Sequence, residues 1–211
     1  MKINTTLFLS KILLSLLLVA ATLFVISCGN DDSYYIKPPK EEGSIYSLEL
    51  ANAKGSVNYI NLKNRNLVDN TAHWDFSMSG TYASNINANT NNHGAINYID
   101  KAYDDVTTDE VLKAFKATKE NFLEKFSNIS DFGIHKNPLN GNQEGWVEYN
   151  GVTHKVTSMP NRTILLVTTN PETNMKKLYK LKISSLYQNA DPATKKAPFL
   201  SCDFKELESP F

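Results

Sequence analysis

The sequence predicts a mainly β chain of antiparallel strands and hairpins, with one main α-helix near residues 108–127. Three observations carry this. Asn150-Gly151 sits between short runs rich in Trp, Val, Tyr and Thr, and Asn-Gly between such runs is a strong short-range hairpin signal. Several other short runs alternate apolar and polar side chains between polar breaks. Only residues 107–126 carry a helical period.

In chain order, residues 45–50 and 57–62 read as strands joined by a turn at 52–55. Residues 73–78 read as a strand with Trp74, Phe76 and Met78 on one face and His73, Asp75 and Ser77 on the other. The asparagine-rich stretch 82–94 reads as a loop, because asparagine side chains compete for the backbone. Residues 95–99 return to an apolar run. Thr107 and Glu110 have capping-box spacing, and Val111, Phe115, Phe122 and Phe126 recur at helical intervals as a core face. Residues 127–144 read as loop, with Asn137-Pro138 and Asn140-Gly141.

The hairpin follows. A two-residue type I′ turn at Asn150-Gly151 would set Tyr149 opposite Val152 and Val147 opposite His154. His154 would then lie on an apolar face, with Trp146 pointing the other way. Residues 162–168, 179–183 and 199–207 read as the last strands, and their charged faces are expected to be solvated.

The N-terminus gives an address. Lys2 and Lys11 precede an apolar run at 12–26, which is shorter than the ~20 apolar residues of a membrane span and fits a secretory signal over 1–27. Val25-Ile26-Ser27-Cys28 is similar to a bacterial lipobox, in which Cys28 is lipidated after cleavage. Residues 28–43, with Asp31, Asp32, Pro38, Pro39, Glu41 and Glu42, read as the lipidated cysteine and a flexible tether. Residues 44–211 make a single β-rich domain in this reading. The leader holds two lysines and no acids, so the rest carries 20 basic and 22 acidic side chains. A net charge of about −2 leaves no electrostatic footprint for nucleic acid.

Chemistry is sparse. No nucleophile elbow, phosphate-binding glycine loop, His-Glu-x-x-His or EF-hand pattern occurs, so no enzyme activity is expected. Cys202 alternates with polar neighbours as a small buried hydrophobe. Of the four histidines, His73 reads as a surface residue, and His93 and His135 fall in loops. His154, on its expected apolar face, is the best candidate for a ligand shielded from water, with Met159 and His93 as partners.

The order lipobox, Trp74-Asp75-Phe76, an Asn-rich loop ending in His93-Gly94-Ala95, then Gly145-Trp146-Val147-Glu148-Tyr149 resembles the HmuY-like haem-binding lipoproteins of Bacteroides-group bacteria. Residues 162–168, Lys177-Leu178-Tyr179-Lys180-Leu181, Ser185-Leu186-Tyr187 and 199–207 are similar to the family's C-terminal strands. Gly29-Asn30-Asp31-Asp32 resembles the acidic signal for outer-surface export in that group. The resemblance implies an outer-membrane, lipid-anchored, surface-exposed protein. It would capture haem or another porphyrin through two axial side chains for delivery to a TonB-dependent receptor. His154, Met159 and His93 are then the candidate axial ligands, off the family's own positions, since the Asn150-Gly151 turn stands where a ligand-bearing loop would be expected. The alternative expectation is a non-catalytic surface module or adhesin for glycan or protein, recognisable by an exposed Trp146 and a buried His154.

Overall fold

The computed structural model describes residues 40–135, 144–194 and 198–211. The expected signal at 1–27, Cys28, most of the expected tether, and the Asn137-Pro138 and Asn140-Gly141 pairs lie outside them. Antiparallel strands dominate, as expected.

Strands β1 (Glu42–Glu49), β12 (Phe199–Glu206), β11 (Lys176–Ser185), β10 (Thr163–Thr169) and β6 (Ala95–Ile99) form one five-stranded sheet in that order. Strands β3 (Asn66–Val68), β2 (Asn58–Asn61), β4 (Phe76–Ser79) and β5 (Asn85–Ala88) form a second. The third holds β7 (Gly133–Ile134), β8 (Gly145–Asn150) and β9 (Lys155–Ser158), with β7 parallel to β8. β1 and β2 belong to separate sheets and do not pair with each other.

β10 explains the layering. All seven of its residues are buried, which is why it reads as a continuous apolar run and not an alternating one. Ile164 and Leu166 enter the main core with Ile60, Phe76, Met78 and Leu181. Leu165 and Val167 enter a second core with Val111, Phe122 and Phe126. Helical segments therefore cover one face of the five-stranded sheet, and the other sheets pack on the opposite face.

The expected single helix is two: α1 (Thr108–Ala114) and α2 (Phe122–Lys125). Thr107 caps α1, its side chain accepting from Glu110 N–H at 3.3 Å. α1 stops because Lys116 is left-handed (φ 49°) and Ala117 N–H bonds back to Leu112 C=O at 2.9 Å. That six-to-one bond is a Schellman stop without its usual glycine, so composition did not announce it. The core face survives the break, since the rings of Phe115, Phe122 and Phe126 still pack against one another, edge-on or tilted.

Two loops expected from composition contain strands. In 82–94, β5 pairs with β4 because Ile86 and Ala88 alternate inward between Asn85 and Asn87. In 127–144, β7 lies against β8 so closely that a Cβ at Gly145 would collide with the Gly133 carbonyl oxygen.

The expected solvated faces are partly buried. Asp75 and Ser77 are buried, and Asp75 Oδ2 accepts Leu62 N–H at 2.7 Å. Lys180 is buried too, its ammonium donating to the carbonyls of Tyr103 (2.7 Å) and Val106 (3.0 Å). His73 is half-buried, 3.5 Å from Asp75.

Candidate functional site

Asn150 shapes the β8–β9 hairpin. Its Oδ1 accepts from Val152 N–H (3.0 Å) and Thr153 N–H (2.9 Å), so the side chain closes the turn, as asparagine does in Asx turns. The strands pair Asn150 with Lys155 and Tyr149 with Val156. The connection is therefore four residues, 151–154, and its left-handed residue is His154 (φ 54°). This corrects the expected two-residue turn. Two further residues in the connection move His154 off the strand face and into the exposed loop.

His154 still has a partner. Its Nδ1 lies 2.7 Å from Tyr149 Oη, and the rings are 6.2 Å apart at 51°. Tyr149 in turn stands 6.3 Å from Tyr82, the rings tilted by 32°. Tyr82 belongs to the β4–β5 connection, where Gly80 (φ 74°), Tyr82 (φ 55°) and Ala83 (φ 50°) are all left-handed. That conformation costs a non-glycine residue roughly 1–2 kcal/mol. Strain of this kind gathers at sites that must hold a side chain in place. Trp146 holds this connection to the hairpin, its Nε1–H donating to Ser84 C=O at 2.7 Å.

Between these elements lies a cleft of about 600 Å³, walled by residues 51–56, Gly80, Thr81, Tyr82, Ala83 and Tyr149. Lys54 contributes the cation. Val57, beside this wall, and Val152, in the His154 loop, are exposed apolar side chains.

The three ligand candidates do not converge. Met159 follows β9, its N–H bonded to Trp146 C=O at 2.9 Å. With the four residues of β9 between them, it stands five steps of extended chain from His154, about 17 Å. His93 is exposed and left-handed after β5, at the opposite end of that strand from Tyr82. Among the described residues, no three His, Cys, Asp or Glu side chains gather to hold a metal ion. The adhesin criterion is reversed: Trp146 is 3 % exposed and His154 is exposed.

Sequence reasoning missed Tyr149, Tyr82 and Lys54. The signal was Asn150 itself, read for its tolerance of positive φ and not for a side chain able to close a longer loop.

A second cleft, of about 290 Å³, is lined by Glu41, Asp75, His73, Lys177 and Tyr179 among others. Its charges are largely paired with one another. Lys177 Nζ donates to Glu41 Oε1 (2.7 Å) and lies 3.2 Å from Glu206, and Tyr179 O–H donates to Glu41 Oε2 (2.8 Å). Burial pushes the Glu41 carboxyl up, but the bonds from Lys177 and Tyr179 outweigh it and hold it below the usual range. Asp75 moves the other way, raised chiefly by burial.

The fold is mainly antiparallel β, with the hairpin bordering one of its clefts. No protein-family model, curated protein or solved structure matches the chain.

Proposed function

We propose that this chain is a lipid-anchored cell-surface protein that captures haem in the cleft beside the β8–β9 hairpin. It catalyses no reaction and passes its cargo to an outer-membrane TonB-dependent receptor. The observation that carries the reading is the hydrogen-bonded pair Tyr149 Oη–His154 Nδ1 on a hairpin that borders the cleft. A phenol and an imidazole are both established haem-iron ligands, and each positions the other. Tyr82 and Tyr149 offer the cleft two aromatic side chains for a macrocycle, and Lys54 a cation for its carboxylates, among small and polar neighbours. Its volume lies within the ~300–1,000 Å³ of ordinary ligand sites. The HmuY-like resemblance supports the same reading, since its Gly-Trp run forms β8 and its C-terminal runs form β10 and β11. Cys28, in its lipobox-like setting, supplies the anchor.

Haemin titration tests this. A shifted Soret band is expected with the native protein and not with the Tyr149→Phe/His154→Ala double variant. An unshifted spectrum for the native protein at micromolar concentration would sink the reading.

A further inference from the structure

The second cleft holds a buried carboxylate that is short of partners. Asp75 stands at the entry to β4, its N–H bonded to Ile60 C=O at 2.9 Å. Its side chain is 7 % exposed, and Oδ2 accepts Leu62 N–H at 2.7 Å. Oδ1 accepts no hydrogen bond among the described residues. His73 Nε2 stands 3.5 Å from it, past ordinary hydrogen-bond length. Glu41 and Lys177, which line the same cleft, act on the Asp75 carboxyl through their charges. Burial raises that carboxyl, as it does where an acid gives up water without gaining a full set of donors.

The surrounding charges leave room for a cation. Lys177 is shared by two carboxylates, Glu41 at 2.7 Å and Glu206 at 3.2 Å. Each Glu41 oxygen accepts one bond, from Lys177 or from Tyr179. A carboxylate has about four acceptor sites, so half of its capacity is open. Glu172 lines the cleft from the exposed β10–β11 turn and forms no ion pair among the described residues. Asn170 Oδ1 fixes that turn, accepting from Glu172 N–H (2.8 Å) and Thr173 N–H (3.1 Å). Together with Lys63 and Glu206, the cleft sets four carboxylates against two ammonium groups, a net charge of about −2 when Asp75 is ionised.

The geometry points to a second binding site, for a small linear diamine. One ammonium pairs with Asp75 Oδ1 and the open side of the Glu41 carboxylate, and the other pairs with Glu172. The site shares no residue with the cleft beside the β8–β9 hairpin, so it goes beyond haem capture and does not rest on it.

An ammonium suits Asp75 because it brings charge and hydrogen-bond donors together. A metal ion does not, since no three His, Cys, Asp or Glu side chains gather to hold one among the described residues. A neutral polyol would donate hydrogen bonds but leave the negative charge unanswered, and an anion would meet its own sign. Pro171 and Thr168 give the lining carbon for a methylene stem. A volume of about 290 Å³ is at the small end of ordinary ligand sites, which suits a four-carbon chain.

Isothermal titration of the purified full chain with 1,4-diaminobutane at physiological salt tests this. The native protein should give no heat with 1,4-butanediol. The bis-quaternary analogue, fully methylated at both nitrogens, keeps the charges without N–H donors and should bind at least roughly tenfold weaker than the diamine. Asp75→Asn keeps an acceptor for Leu62 N–H and removes the charge, and it should also lose at least roughly tenfold. The pair at Glu172 is exposed and screened, so 1-aminobutane should bind only about threefold weaker than the diamine. Glu172→Gln should abolish that difference.

The ligand series on the native chain keeps the test independent of how any variant folds. Diol or quaternary binding equal to that of the diamine would overturn the inference. Undiminished affinity in Asp75→Asn would do the same, as would a native chain that takes up no diamine at roughly millimolar concentration. The haemin titration reads the other cleft, so either reading can fail alone.

Discussion

Trp146 Nε1–H donates to the Ser84 carbonyl at 2.7 Å, joining the β8–β9 hairpin to the strained β4–β5 connection across 62 residues of chain. The indole is buried, so the bond is made away from water. It ties the connection that carries Tyr82 to the hairpin that carries Tyr149, and both residues line the cleft.

Trp146→Phe keeps most of the apolar contact and removes the donor. The Ser84 carbonyl is then buried without its indole partner, a loss of about 1–3 kcal/mol. The expected result is a lower denaturation midpoint with an unchanged denaturant slope. Haemin affinity should fall as well, although Trp146 does not line the cleft. A variant as stable and as tight-binding as the native protein would remove Trp146 from the site's support.

Much of the fold was legible in the sequence and much of the site was not, for one physical reason. Residues 162–168 announced a strand through their apolar run, and the burial of both faces of β10 explains that run. The Phe115, Phe122 and Phe126 stripe announced a core face, which it is. Side chains that serve the backbone or each other left weaker marks. Asn150 closes a four-residue loop through its own Oδ1, while an Asn-Gly pair looks the same whichever way it turns. Lys116 ends α1 without the glycine that signals a stop. Asp75 and Lys180 look like solvent-facing charges, yet each is buried on specific backbone partners. Local pattern records what a residue's neighbours bury; it does not record a hydrogen bond made across the sheet.

Asn150→Ala tests the loop closure. It removes the acceptor for Val152 and Thr153 N–H, and such a change in a solvent-exposed turn should cost about 1 kcal/mol. The loop loses its fixed shape and the Tyr149–His154 bond loosens. Amide hydrogen exchange at Val152 and Thr153 should accelerate, while exchange in β10 stays slow. Unchanged protection at those two amides would show that the loop is held by something else.

Cys202 gives a chemical test of the address. It is buried, and burial pushes its thiol up to about 12, so it should ignore thiol reagents in the folded protein. If Cys28 carries lipid through its sulfur, the mature protein taken from membranes should titrate as no thiols folded and one thiol unfolded. A second thiol on unfolding would contradict lipidation at Cys28.

Two neighbouring carboxyls should give the acid stability curve opposing slopes. Glu41 is held below its usual value of 4.5 in the folded state. Its contribution is fully present above that value and is lost as the pH falls through the folded one. Glu41→Gln should therefore be less stable than the native protein at pH 6, by roughly 1 kcal/mol once solvent screening is allowed for, and the gap should close towards pH 3. Asp75 has the opposite sign. Burial raises its carboxyl above the usual 3.8 despite the Leu62 N–H and His73, so the folded state holds that proton more tightly than the unfolded chain. Its term favours folding at low pH and fades as the pH rises through the raised value. Asp75→Asn removes this opposing term, so the variant should lose stability more steeply on acidification than the native protein. Thermal melts at intervals from pH 6 to pH 3 measure both, and a shallower acid slope in Asp75→Asn would reverse the assignment.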